Sequence, residues 1–306
     1  MTALRGVWCA TLTPVGADGK VDPRRLIAHV RRLLTSGVDG VALFGTTGEG
    51  QSFSAAERRA GLEALLAGGI EPGRVLAATG CTALPETIEL TRQAVDCGCA
   101  GALVLPPFFF KDIGADGVYA SFARIVDSVA DERLRLYLYH IPQVSGVAIP
   151  QAAIARLKES YPSVIAGVKD SQCSLEHSLG LLAAFPELSI FVGFEPHLPA
   201  ALAAGGAGTI CGIANLYPGL IRRLHDRAGD PEHRHDLATV ERFIAALEAY
   251  PLFPAFKALQ AELTGDPAWN ALRLPLVPLD SKTRAAWLAA AAACGIARDD
   301  ALSSSR

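Results

Sequence analysis

Val164-Ile165-Ala166-Gly167-Val168-Lys169-Asp170-Ser171 opens with five apolar residues and ends in charge. The apolar run is too short for a buried helix, so it reads as a strand covered on both faces, the kind that fills a parallel sheet. A helical stretch at 175–185 follows within a few residues. The rest of the chain repeats this strand-then-helix unit.

Upstream, a first strand at 6–14 is followed by Asp22-Pro23, an N-cap with proline at the first helical position, and a helix to about Ser36 that Gly37 ends. The strand at 40–44 runs into Gly45-Thr46-Thr47-Gly48-Glu49-Gly50, and Ser54-Ala55-Ala56-Glu57 is a capping box for a helix to about Ala67. Strands at 74–79, 101–105 and 134–139 precede helices at 85–97, 116–129 and 150–160. Downstream, strands at 188–192 and 208–212 precede helices at 198–204 and 218–227. Eight strands, most of them apolar throughout and each followed by a helix over short connections, predict an α/β fold of the (β/α)8 TIM-barrel type. The rival, a doubly wound open sheet, calls for a Gly-rich phosphate loop after the first strand, and Thr11-Leu12-Thr13-Pro14 is not one. After Gly229-Asp230-Pro231 helical stretches continue at 232–248, 252–264 and 283–294 without strands between, with Pro251, Pro254 and Ser281 as their start signals. The expected organisation is a catalytic barrel at 1–228 and a C-terminal helical extension at 229–306 packed on it.

With 306 residues, half of them hydrophobic, the chain can bury a large core. A net charge of -3 gives no electrostatic footprint for nucleic acid or for an acidic membrane surface. No apolar run is long enough to span a bilayer, and Met1-Thr2-Ala3-Leu4-Arg5 has no signal-peptide pattern, so the cytoplasm is the expected compartment. Seven scattered cysteines, at 9, 81, 97, 99, 173, 211 and 294, read as reduced, buried thiols. Cys97-Gly98-Cys99 lacks a second pair at zinc-site spacing, and no metal is expected.

The chain has six lysines against twenty-two arginines, and Lys20, Lys111, Lys158 and Lys282 lie in polar loops or on helix faces. Lys169 instead ends a buried strand, where an ammonium needs a partner or a task. It either pairs with Asp170 or is a neutral nucleophile. In a barrel the chemistry gathers at the C-terminal ends of the strands. There the second strand supplies Thr46, Thr47 and Gly48, the fifth Tyr139 and His140, and the sixth Lys169. Thr46, Thr47 and the glycines around them offer hydroxyls and closely approachable N–H groups that suit a carboxylate. A phenol can pass a proton, and an amine can form a Schiff base with a ketone. Taken singly, each has a plainer reading: a common turn composition, a tyrosine capping the barrel core, an ordinary ion pair. His140 reads as structural. Together the groups describe Schiff-base chemistry on a 2-oxo acid.

Gly45-Thr46-Thr47-Gly48-Glu49, Leu138-Tyr139-His140-Ile141-Pro142 and Gly167-Val168-Lys169-Asp170 resemble the signatures of the dihydrodipicolinate synthase / N-acetylneuraminate lyase family of class I aldolases, and the likeness runs through Gly205-Gly206-Ala207-Gly208 into the helical tail. The resemblance implies that Lys169 is the Schiff-base lysine and Tyr139 the proton-passing tyrosine. It implies that Thr46 and Thr47 bind the pyruvyl carboxylate, with the Thr47 hydroxyl in the proton relay, and that Ile210 lines the pocket through a strand-eight carbonyl. It also implies a homotetramer or homodimer working without metal or organic cofactor.

Two positions depart from the synthases. Val144 stands where they carry an arginine for the second substrate's carboxylate, and Pro107-Phe108-Phe109-Phe110 lacks the tyrosine that a neighbouring subunit lends to the relay. Glu195 falls where the lyases read substrate hydroxyls, whereas their strand-eight serine is Gly212 here. The expectation is a lyase that cleaves a 2-oxo acid, of the 2-keto-3-deoxy type, to pyruvate and an aldehyde. A dehydratase or deaminase using the same Schiff base, a dihydrodipicolinate synthase (against which Val144 and Phe109 speak) and a non-catalytic keto-acid-binding relative are the alternatives.

Overall fold

In a computed structural model of the chain, which describes residues 4–231, 233–297 and 300, eight parallel strands close into a barrel in sequence order. The strands are β1 (Gly6–Ala10), β2 (Gly40–Leu43), β3 (Val75–Ala78), β4 (Gly101–Val104), β5 (Leu136–His140), β6 (Ile165–Asp170), β7 (Ser189–Val192) and β8 (Gly208–Cys211). The helices that cover them are α1 (Pro23–Thr35), α2 (Ala55–Ala67), α3 (Leu84–Asp96), α4 (Gly114–Val129), α5 (Pro142–Ser145), α6 (Gln151–Ser160), α7 (Leu175–Ala184), α8 (Leu198–Ala203) and α9 (Pro218–Asp226). Pairing of β1 with β8 removes the open-sheet alternative. The helical tail is α10 (His233–Leu247), α11 (Leu252–Thr264) and α12 (Ser281–Ala293). Met1 to Ala3, Glu232, Arg298, Asp299 and the stretch beyond Asp300 lie outside the described residues, so the leader expectation and the outer ends of the two predicted segments are not described.

The capping signals act as the sequence predicts. Asp22 accepts from the Arg25 N–H at the start of α1, and Ser54 and Glu57 form a complete capping box on α2. Two tail signals shift. Pro254 is the third residue of α11, a position that still has no intrahelical acceptor for an N–H, and Ser281 is the first residue of α12. The cap there is Asp280, which accepts from the Lys282 and Thr283 N–H groups. The one-turn α5 is absent from the sequence reading. Pro142 starts it, and Gly146 at φ 66 stops it one turn later.

Alternation along the strands divides the core in two. Trp8, Ala42, Leu76, Leu103, Tyr137, Tyr139, Phe191 and Ile210 fill the barrel interior. A larger set, including Val7, Val41, Leu138 and Val168, packs outward under the helices. Trp8 and Tyr137 fit because their neighbours lack side chains. A Cβ on Gly40 would sit 2.3 Å from the Trp8 ring, and one on Gly167 2.8 Å from the Tyr137 ring. Between β5 and β6 the register shifts once: Leu136 pairs with Ile165, but Tyr137 pairs with Gly167, leaving Ala166 as the extra residue. That shift sets Tyr139 directly beside Lys169, both pointing into the barrel.

The tail is fastened to the barrel by polar ties. His29 on α1 meets Gln260 of α11, Arg25 holds Asp266, and Arg273 holds Glu57 on α2. The buried Lys257 of α11 meets Glu49 beyond β2.

Candidate active site

The turn after β2 is tightly determined. Phe44 and Glu49 both take left-handed backbone, at φ 58 and φ 55, conformations that persist in bulky residues only where the surroundings enforce them. Gly50 N–H donates to Gly45 O at 3.0 Å and Glu49 N–H to Thr46 O at 2.9 Å. Thr13 Oγ1 donates to Gly48 O at 2.7 Å. A Cβ on Gly50 would lie 1.8 Å from Phe44 O, so only glycine closes this turn. From below, Glu49 Oε1 lies 2.5 Å from Lys257 Nζ, with both side chains fully buried. The contact is ionic rather than a well-directed hydrogen bond; the Lys257 ammonium donates to Ala271 O at 3.0 Å. Burial pulls the lysine below its ordinary pKa, and Glu49 opposes that shift. Among the described residues, no protein group accepts from the N–H of Thr46, Thr47 or Gly48.

Lys169 lies at the bottom of the mouth, 3 % exposed. Its neighbour Asp170 points the opposite way, out of the barrel. There it accepts from Ser178 Oγ at 2.6 Å and from the Gln172 N–H at 3.1 Å, and contacts His177 Nδ1 at 2.9 Å. The Lys169–Asp170 ion pair is therefore excluded by strand alternation. The lysine instead places Nζ 4.2 Å from the centre of the Tyr139 ring. Tyr139 Oη donates to Thr46 Oγ1 at 3.2 Å. The hydroxyl that touches the tyrosine is thus that of Thr46, whereas the sequence reading assigns the relay to Thr47.

Thr46, Thr47, Tyr139, Lys169, Ile210 and Glu195 line one cavity of about 380 Å³ at the C-terminal mouth of the barrel. Gly48 does not reach it; a Cβ there would meet Thr11 O at 2.6 Å, so the glycine serves the closeness of the turn to β1. Glu195 is buried and accepts from the Ile213 N–H at 3.1 Å, and burial raises its pKa. Gly212 also lines the cavity; a Cβ there would lie 3.4 Å from Thr47 Oγ1 and 3.3 Å from the Phe256 ring.

Sequence reasoning passed over two features. One is the wall that the tail contributes, from Ile244, Leu247, Leu252, Phe253 and Phe256. The other is Lys257, whose signal was available: a lysine in the apolar run Leu252-Phe253-Pro254-Ala255-Phe256-Lys257-Ala258-Leu259. Outside the cavity, His140, Asp170 and His177 bring ligand-type atoms within 4.8 Å of one another. They form a satisfied hydrogen-bonded cluster. His140 Nδ1 accepts from the Ile149 N–H at 3.0 Å, which leaves its Nε2 to donate to Gln172 Oε1 at 2.6 Å. The two imidazoles stack at 4.5 Å. His140 is thus structural, as its sequence context predicts, and it anchors the turn into α6. Cys97 and Cys99 are both free.

A closed eight-strand barrel with a helical tail and this mouth defines a lyase of the class I aldolase type. Residues 3–293 match the dihydrodipicolinate synthetase family, and the chain belongs to it. An uncharacterized DapA-like lyase of Chloroflexus aurantiacus is 39% identical over 297 residues, covering 95% of this chain and 97% of that protein. The dihydrodipicolinate synthase of Agrobacterium tumefaciens superposes with a TM-score of 0.89 at 32% identity, covering 94% of this chain and 99% of that one. A prophage protein of the dihydrodipicolinic acid synthase family from E. coli K12, solved in complex with pyruvate, superposes at 0.88 with 26% identity, covering 96% and 99%. No helix among the described residues is long and apolar enough to cross a membrane.

Proposed function

We propose that the protein cleaves a 4-hydroxy-2-oxo acid, a member of the 2-keto-3-deoxy class, to pyruvate and an aldehyde, or condenses the two, through a Schiff base on Lys169. The observation that carries this is the contact series Lys169–Tyr139–Thr46 inside one cavity. The substrate carboxylate binds the Thr46–Thr47 turn, whose N–H groups face no protein acceptor among the described residues. Lys169 Nζ attacks the C2 ketone and water leaves, forming an iminium. Tyr139 Oη takes the C4 hydroxyl proton as the C3–C4 bond breaks; the bonding pair forms C2=C3, the iminium π pair moves onto Lys169 Nζ, and the aldehyde departs. Tyr139, with the Thr46 hydroxyl beside it, returns that proton to C3 of the enamine, and water hydrolyses the iminium to release pyruvate. Ile210 and Glu195 complete the wall.

Several of the most similar relatives carry the name 4-hydroxy-tetrahydrodipicolinate synthase. Val144, with no cation in its place, and Phe109 weigh against that activity here. The free cysteines fit a reducing compartment, the cytoplasm. The exposed Phe109 and Phe110, in the loop after β4, support a homo-oligomer, dimer or tetramer.

Borohydride added with pyruvate is expected to fix a three-carbon adduct on Lys169, located by peptide mass spectrometry. An unmodified Lys169 under conditions that label a known class I aldolase overturns the reading.

A further inference from the structure

We infer that the aldehyde half of the substrate is apolar, an aromatic or branched aliphatic aldehyde rather than a sugar or a second carboxylate. This rests on the Schiff-base reading and adds the second half of the substrate to it.

The inner part of the cavity, between Thr47, Tyr139 and Lys169, is the polar part. Beyond it the wall is built by Ile141, Val144, Phe194, Ile213 and the tail side chains of α10 and α11. At about 380 Å³ the cavity is far roomier than a three-carbon acid requires, so the second half of the substrate meets this outer wall. Among the described residues, Lys169 is the only lysine or arginine lining it, and Lys169 is committed to the ketone. A second carboxylate would be desolvated there without a cation.

A polyol fares little better: the polar groups of the outer wall are few, and apart from the Ser171 hydroxyl and the Gln143 amide oxygen they are already engaged. Gln143 donates to Ser171 O, the Cys173 thiol to the same carbonyl at 3.5 Å, and Glu195 accepts from Ile213. Each sugar hydroxyl that entered would give up water with little to replace it. An apolar group loses nothing and releases water from Ile244, Leu247, Leu252 and Phe256. Val144 is 63% exposed at the rim, so it is reached by the outer end of the substrate and not by the pyruvyl part.

The bond made in the synthetic direction is the C3–C4 bond: the enamine carbon attacks the aldehyde carbon, and the aldehyde oxygen takes the proton held by Tyr139. The test offers the full chain pyruvate with benzaldehyde, glyceraldehyde or succinic semialdehyde and follows each adduct by mass spectrometry, with borohydride trapping of pyruvate run in parallel. The expected result is a kcat/KM for benzaldehyde at least about tenfold above either polar aldehyde. Successful trapping on Lys169 with glyceraldehyde or succinic semialdehyde preferred, or with no aldehyde consumed, overturns this inference and leaves the Schiff base standing. Failed trapping overturns both. Val144→Arg supplies the missing cation on an exposed turn, and is expected to move the ratio of succinic semialdehyde to benzaldehyde turnover at least about tenfold toward the acid. An unchanged ratio in a variant that still traps pyruvate also overturns the inference.

Discussion

At the scale of single residues, the site depends on which way neighbouring side chains point. Lys169 and Asp170 are adjacent in sequence yet face opposite sides of β6, which frees the lysine from the carboxylate most able to neutralise it. Tyr139, by contrast, is thirty positions away and touches it through the barrel. If Tyr139 moves the C4 proton, Tyr139→Phe should lower kcat by about 10²–10⁴-fold while pyruvate is still trapped on Lys169. Loss of trapping in that variant would assign the tyrosine to imine formation instead. The Thr46–Tyr139 contact predicts a split between the two threonines. Thr46→Val should depress mainly kcat, whereas Thr47→Val should raise mainly KM for the 2-oxo acid; steady-state kinetics with the reverse pattern would restore the relay to Thr47.

At the scale of elements, the turn after β2 is held by a helix from the far end of the chain. Lys257 on α11 is fully buried against Glu49, and Glu49 itself takes left-handed backbone two residues past Thr47. Removing one partner leaves a buried charge without a counter-ion. Lys257→Met is therefore expected to cost about 3–5 kcal/mol in urea unfolding, and the double variant with Glu49→Gln to recover much of it. Because the pair supports the carboxylate turn, KM for the 2-oxo acid should rise in the single variant even below its unfolding midpoint. A stable single variant with unchanged KM would reduce the pair to a packing detail.

At the scale of the whole molecule, the barrel and the tail share a buried polar knot. Asn215 donates to Ala10 O and Gly212 O and accepts from the Leu12 N–H, while its Oδ1 lies 2.9 Å from His29 Nε2. Gln260 of α11 reaches the other imidazole nitrogen, and Trp269 packs edge-on at 4.9 Å. Burial holds the folded-state pKa of His29 down to about 4. The unfolded chain takes up this proton at about pH 6.5, so between those values unfolding binds protons and stability falls as pH falls. The contribution is fully present above pH 6.5, and about 3 kcal/mol is lost by pH 4. Urea midpoints measured across pH 7 to 4 should show this decline, and His29→Gln should flatten it; an equally steep decline in the variant would assign the acid sensitivity elsewhere.

The eight apolar strands, their caps and the three groups on strands two, five and six were legible in the sequence, because burial on both faces and helix capping leave local signatures. Lys169 could be marked out the same way, as a charge ending an apolar run. Its freedom from Asp170 follows from strand alternation, whereas its place beside Tyr139 depended on the bulge at Ala166, and the contact of Tyr139 with Thr46 depended on how the turn after β2 folds. The Lys257–Glu49 pair and the apolar wall from α10 and α11 join segments about two hundred residues apart. Local sequence marks Lys257 as a charge inside an apolar run but not its partner, since it is chain closure that brings the segments together. The strand-end groups that carry the Schiff-base reading were thus written in the sequence, whereas the apolar wall facing them was decided by where the tail packs.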